Sequence, residues 1–180
     1  MQQTAHLYDF RVTYEPFLLR PGLPPEGMEK PEKLKTISKT GQLYKLGESV
    51  GIDFTGKAQR FPNTLIGHQM MEYCKSLDPT RKLQSQVVER VFKAYFTDGL
   101  LPNRSLLDGF ASSLGFNTSA YTGYMDSIDN LKKTENTARS WMSKVTTGVP
   151  FYIINGEPQF SGIQEPDTFV KVFAKFAARK

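Results

Sequence analysis

The chain contains a single cysteine, Cys74, and this number limits its chemistry more than any other feature of the sequence. One thiol cannot close a disulfide within the chain, form a Cys-x-x-Cys redox pair or build a cysteine-based zinc site. Two histidines, His6 and His68, accompany it, so a histidine-rich metal site is not expected either. The absence of a disulfide is typical of a reducing compartment, and we predict a cytoplasmic location.

The composition is that of a folded domain with a mild positive charge. Hydrophobic residues make up 39% of the 180 residues and aromatic residues 12%, which is enough to bury a core. The net charge of +5 comes without a basic block, so neither nucleic acid nor a membrane surface is predicted as a partner. No apolar run approaches the roughly 20 residues of a spanning helix, and the N-terminus lacks the apolar core of a signal peptide.

The first part of the chain predicts one strand followed by a long helical stretch. Phe10, Val12 and Tyr14 alternate with polar residues, which indicates a half-buried strand from about residue 6 to residue 15. From about residue 31 to residue 148, apolar residues recur at helical spacing and predict a series of helices.

The last third of the chain predicts a hairpin and a helix. A short apolar run at residues 149–154, a turn at residues 155–158 and a return strand at residues 159–161 form the hairpin pattern. Pro166 begins the final helix. The order of strand, helical block, hairpin and helix predicts an α/β fold with a large α-helical insertion.

One helix of the insertion carries residues that bear on chemistry. It is predicted to begin after the cap residues Asn63 and Thr64. Its apolar face consists of Ile66, Met70, Tyr73 and Leu77. Cys74 lies on that face, so we predict a buried structural thiol. His68 lies about 200° round the helix from Ile66, which predicts solvent exposure.

The predicted hairpin resembles the end of a thioredoxin fold of the DsbA type. The residues that carry the resemblance are Gly148 to Asn155, followed by Phe160 to Gln164. The resemblance implies a cis peptide bond before Pro150 and a backbone at Val149 that offers its polar groups to a ligand. It therefore implies substrate binding by Val149, Pro150 and Phe151.

Further segments are similar to the FrnE-like branch of that family. They are residues 14–27, residues 51–54, residues 61–65 with His68, and residues 92–99. The superfamily also contains hydroxychromene-carboxylate isomerases and kappa-class glutathione transferases. Because the insertion covers the active-site cleft in this family, the resemblance implies, as an alternative to solvent exposure, that Asn63 and His68 face the cleft.

The glutathione-dependent relatives suggest one further binding position. They bind the γ-glutamyl end of the tripeptide just after the glycine that matches Gly162, where this chain has Ile163 and Gln164. Gln164 therefore joins the predicted substrate-binding residues. Ile163 and Gln164 differ from the small polar and acidic groups of those relatives.

The resemblance also implies that a catalytic segment is missing. In the family, a strand and a helix precede the segment that begins here near His6, and the turn into that helix carries catalytic cysteines or a serine. Five residues precede His6, so the N-terminal β-α unit and its nucleophile are expected to be absent, and no catalytic residue is predicted. An incomplete gene product or a shortened isoform would explain this.

The domain organisation follows from the same resemblance. Residues 1–20 and 148–180 are predicted to form an incomplete thioredoxin-like core, and residues 21–147 a connecting loop with the helical insertion. The missing first strand would lie between residues 6–15 and residues 151–155. We expect these two segments to pair directly, or the fold to be marginally stable.

Three functions stay open at this level. The first is a DsbA/FrnE-like member of the thiol-disulfide oxidoreductase family without dithiol activity in this form, because dithiol exchange needs an attacking and a resolving thiol. The second is a glutathione-dependent isomerase or transferase relative, and the third is a non-catalytic module that binds a thiol or a peptide. The expected partner is a thiol or disulfide small molecule or peptide. No cofactor is expected, and glutathione is the one candidate ligand of this kind.

Overall fold

A computed structural model describes residue 4, residues 6–35, residue 37 and residues 41–178. The chain forms two compact units. The small unit comprises Met1–Phe10 with Ser140–Lys180, and the large unit comprises Arg11–Arg139. The division into a core of residues 1–20 and 148–180 and an insertion of residues 21–147 stays a prediction.

The large unit consists mainly of helices, as predicted from the apolar spacing. Its helices are α1 (Gln42–Ser49), α2 (Leu65–Leu77), α3 (Lys82–Phe92), α4 (Arg104–Ser113), α5 (Thr118–Asp126) and α6 (Ile128–Lys144), within which the unit boundary falls. A 3-10 helix spans Glu32–Leu34, and a π-helix, Lys93–Asp98, continues α3 directly. The strands β1 (Met28–Glu29) and β2 (Arg60–Phe61) pair antiparallel. None of the helices in the described ranges is long and apolar enough to cross a bilayer.

The core of the large unit lies between α2, α3, α4 and α5. Met70, Val87 and Leu107 are fully buried there. Cys74 is 0% exposed, which confirms the prediction of a buried thiol. Leu77 is 50% exposed, so the predicted apolar face of α2 ends one turn before the helix does.

The small unit contains the predicted hairpin and the predicted final helix. Strand β3 (Phe151–Ile154) pairs antiparallel with β4 (Glu157–Ser161), and α7 (Pro166–Ala177) follows. Asn155 and Gly156 have φ angles of 49° and 83°, the left-handed pair that a tight hairpin turn requires. An aromatic stack joins hairpin, helix and N-terminal segment. It consists of Tyr152, Phe160, Phe169, Phe173, Tyr8 and Phe10.

The strand predicted over residues 6–15 is wrong. Residues 6 and 7 form a turn, residues 8–18 have no regular secondary structure, and among the described residues β3 pairs with β4 alone. The expected direct pairing of residues 6–15 with residues 151–155 is therefore wrong as well.

A side chain, and not a neighbouring strand, pairs with the backbone of this segment. The Tyr14 N–H donates to Gln84 Oε1 at 3.0 Å, and Gln84 Nε2 donates to the Tyr14 carbonyl oxygen at 2.9 Å. This amide satisfies both backbone polar groups of Tyr14, which a ladder would otherwise pair. The alternating pattern predicted an extended segment but could not show that a glutamine from α3 would bind it.

Candidate functional site

The segment before β3 has the backbone conformation that the resemblance implied. The Val149–Pro150 peptide bond is cis. Val149 is half-buried and Pro150 is exposed. Neither the N–H nor the C=O of Val149 has a hydrogen-bond partner in the described part of the chain. The described residues therefore leave one donor and one acceptor at Val149 without a partner.

Hydrogen bonds join this segment to the residues that follow β4. The Gly162 N–H donates to the Pro150 carbonyl oxygen at 2.8 Å, directly beyond the terminal pair of Phe151 and Ser161. The Ser161 hydroxyl donates to the Thr147 carbonyl oxygen at 3.3 Å. Residues 147–151 and 161–164 thus lie together, and we call them the Pro150 end of the hairpin.

Gln164 belongs to the Pro150 end of the hairpin but is engaged locally. Its Nε2 donates to the Ser161 carbonyl oxygen at 2.9 Å, and the residue is half-buried. Ile163 beside it is 69% exposed. The small unit therefore brings Val149, Pro150, Phe151 and Gln164 together, with the Gln164 amide group holding the loop.

Asn63 lies in the large unit, just before α2. Its Nδ2 donates to the Leu23 carbonyl oxygen at 2.6 Å, and its Oδ1 accepts from the Leu65 N–H at 3.0 Å. The second bond satisfies the N–H of the first residue of α2, although the N-cap position itself is Thr64. Thr64 makes no side-chain cap bond. Both ends of the Asn63 amide group thus have partners within the chain.

His68 also lies in the large unit, on the first half of α2. It is half-buried, and its Nε2 lies 3.2 Å from the Phe17 carbonyl oxygen. Because a carbonyl only accepts, Nε2 carries the proton. Burial lowers the pKa of His68, although the bond to Phe17 acts in the opposite direction. The prediction of solvent exposure is wrong, because the segment containing Phe17 covers that face of the helix.

The structure groups the six predicted binding residues by unit. Val149, Pro150, Phe151 and Gln164 lie in the small unit, and Asn63 and His68 lie in the large unit. A single cleft lined by all six stays a prediction.

Cys74 does not offer a nucleophile in the folded chain. Burial raises the pKa of its thiol to about 12, so the thiol is protonated at neutral pH. No group of three or more His, Cys, Asp or Glu side chains suited to a metal ion occurs in the part of the chain that the structure describes.

Sequence reasoning missed a group of residues in the large unit that combines cations and aromatic rings. Its members are Arg20, Lys30, Phe61 and Tyr95, and we call them the Phe61 cluster. The members are far apart in the sequence, and no spacing rule joins them. In the structure, the pairing of β1 with β2 brings Lys30 close to Phe61.

Comparison with known proteins adds a family assignment. The model of the DSBA-like thioredoxin domain matches residues 1–174. A search of curated proteins finds no match.

Proposed function

The chain belongs to the DSBA-like thioredoxin domain family, and from this premise we propose that it binds a thiol or disulfide ligand at the Pro150 end of the hairpin. The family is of the thiol-disulfide oxidoreductase type. The family match over residues 1–174 is the observation that carries the proposal. We further propose that the chain belongs to the FrnE-like branch of the family, because residues 61–65 and 92–99 are similar to that branch.

The polar groups of Val149 support this location. Their lack of partners in the described part of the chain leaves one donor and one acceptor beside the exposed Pro150. An extended ligand, such as a peptide or the tripeptide glutathione, can bind such a pair by adding main-chain hydrogen bonds. Phe151 contributes apolar contact area at the same place.

We further propose that the 180-residue chain does not catalyse dithiol exchange. Such exchange needs one thiolate to attack and a second thiol to resolve the mixed disulfide. The sequence offers Cys74 alone, and its buried thiol has a pKa of about 12. Binding of a thiol ligand is therefore proposed without turnover.

Insulin reduction by dithiothreitol tests the proposed lack of turnover. The purified chain is expected to leave the rate of insulin precipitation at the value of the reductant alone. A thioredoxin with an intact Cys-x-x-Cys serves as the positive control. Catalytic acceleration by the chain would contradict the proposal.

Nuclear magnetic resonance titration with reduced and with oxidised glutathione tests the binding site. We expect the amide signals of Val149 and Phe151 to shift in a saturable manner. The amide of Gly115, which ends α4 in the large unit, provides the internal control. No shift at Val149 and Phe151 with millimolar glutathione, or equal shifts at Gly115, would overturn the proposed site.

A further inference from the structure

The Phe61 cluster places two cations against one aromatic ring. The Arg20 guanidinium carbon lies 3.9 Å from the centroid of the Phe61 ring, and Lys30 Nζ lies 5.7 Å from the same centroid. The distance between the two cations therefore cannot exceed the sum of these distances. Lys30 Nζ also lies 5.2 Å from the centroid of the Tyr95 ring.

Neither cation has an acidic partner in the structure as described. Within the described residues, no carboxylate lies at ion-pair distance from Arg20 or Lys30. The Glu29 carboxylate, which precedes Lys30 in the chain, contacts the Arg60 guanidinium at 3.7 Å instead. An anion near both groups would be attracted by two positive charges.

The strand pair holds Lys30 in place. The Lys30 N–H donates to the Gln59 carbonyl oxygen at 2.9 Å, and Lys30 Nζ donates to the Ala58 carbonyl oxygen at 2.6 Å. The Tyr95 hydroxyl donates to the Arg60 carbonyl oxygen at 3.1 Å, so the π-helix that carries Tyr95 is tied to the same strand. The ammonium group is thus positioned before any ligand arrives.

The loop that follows Arg20 is tied to the same strand. An Arg60 guanidinium nitrogen donates to the Gly27 carbonyl oxygen at 2.9 Å. Asn63 donates to the Leu23 carbonyl oxygen at 2.6 Å. These bonds connect the loop to the chain on both sides of Phe61.

The donors of the cluster exceed the acceptors that the described residues supply. An ammonium has three N–H groups, and the Ala58 carbonyl oxygen takes one of those of Lys30. A guanidinium has five N–H groups in a planar fork that matches an oxyanion. Lys30 is half-buried, and burial lowers its pKa, so its charge is less well hydrated than that of a surface lysine.

We propose that the Phe61 cluster is a binding site for an oxyanion, the carboxylate or phosphate group of a small acidic ligand, held by Arg20 and Lys30. The guanidinium fork takes two oxygens of the anion, and the ammonium takes a third contact. The rings of Phe61 and Tyr95 bound the site on its apolar side. The site lies in the large unit, and its existence does not depend on the function proposed for the hairpin.

Isothermal titration of the whole chain tests this site. Sodium phosphate and sodium succinate are the two probes, each titrated at constant ionic strength maintained with sodium chloride. The substitutions are Arg20→Gln and Lys30→Gln, and Lys33→Gln removes the same charge from an exposed position nearby as the control. We expect each cluster substitution to weaken binding about tenfold, the value of one charge-assisted hydrogen bond.

The proposal is supported if either probe binds saturably and if Arg20→Gln and Lys30→Gln weaken that binding. The control substitution Lys33→Gln should leave it unchanged. The stronger of the two probes then distinguishes a phosphate ligand from a carboxylate ligand. Because Arg20 is exposed, Arg20→Lys retains the fold and should recover part of the affinity. No saturable binding of either probe at millimolar concentration, or an equal loss in Lys33→Gln, would overturn the proposal.

Discussion

Gln84 shows how a single buried side chain organises a segment without secondary structure. Its side chain is fully buried, yet it bonds the N–H and the C=O of Tyr14 and also donates to the Met71 carbonyl oxygen at 3.3 Å. A buried amide is tolerated when its polar atoms have partners in this way. Gln84 therefore joins residue 14 to α2 and α3 at once.

Replacement of Gln84 by methionine is expected to destabilise the chain. The substitution keeps the volume but removes the two hydrogen bonds between Gln84 and the Tyr14 backbone, which costs about 1–3 kcal/mol in the free energy of unfolding. Gln86→Met, at an exposed position of the same helix, is the matched control and should change the free energy of unfolding by less than about 0.5 kcal/mol. Urea denaturation measures both values, and equal effects of the two substitutions would refute the role of Gln84.

His68 is expected to make stability depend on pH. Its pKa in the folded chain lies below the ordinary value of 6.5, so the unfolded chain takes up a proton first as the pH falls. The contribution of the neutral imidazole is complete above pH 6.5 and is lost as the pH drops below that value.

The variant His68→Gln separates this contribution from other titrations. Glutamine retains a donor for the Phe17 carbonyl oxygen but does not titrate. Between about pH 7 and about pH 5, the native chain should lose more free energy of unfolding than the variant does. If urea denaturation shows that the native chain and the variant lose equal free energy of unfolding between the two pH values, His68 is not the titrating group.

At the scale of elements, local signals predicted the structure well. The tight turn at Asn155 and Gly156 and the start of α7 at Pro166 depend on residues adjacent in the sequence. The strand predicted at residues 6–15 is wrong because an alternating pattern indicates an extended amphipathic segment but not the group that pairs with its backbone. That partner, Gln84, lies 70 residues after Tyr14 and is a side chain.

Gly27 is expected to be indispensable to the β1–β2 pair. A Cβ at this position would overlap the carbonyl oxygen of Phe61, and φ is 74°. Gly22 has a similar φ of 80° but open space around it, so Gly22→Ala measures the backbone strain alone, about 1–2 kcal/mol.

The comparison of the two alanine variants isolates the steric term. Gly27→Ala should cost about 1–3 kcal/mol more than Gly22→Ala, because the backbone of β2 cannot yield as a side chain can. Thermal or urea unfolding of both variants checks the difference. Equal destabilisation would show that β2 moves aside at little cost.

At the scale of the molecule, the sequence predicted the local backbone around Pro150 better than it predicted how distant side chains meet. The Pro150 end of the hairpin was found because its residues are neighbours in a recognisable run. The exposure of His68 was mistaken because a helical wheel shows one helix and not the segment that covers it. The Phe61 cluster was not predicted because its members come together only in the folded chain, Lys30 and Phe61 through the pair of β1 and β2.

Cys74 provides a probe of opening of the large-unit core. Because the thiol is fully buried and its pKa is about 12, we expect no reaction with Ellman's reagent in the folded chain and full reaction once urea unfolds it. The control is Ser76→Cys combined with Cys74→Ala, which places one thiol at an exposed position of the same helix and should react at once. Equal rates in the two proteins without urea would mean that this core opens readily.

The contact between Tyr14 and Gln84 also has a consequence for the order of folding events. Residues 8–18 form no ladder or helix of their own, and their backbone partners include side chains on α2 and α3. Tyr14 and Gln84 are 70 residues apart, and closing the loop between them costs chain entropy. That cost is not offset until α2 and α3 have met and buried Gln84. We therefore expect residues 14–17 to dock after α2 and α3 have packed against each other.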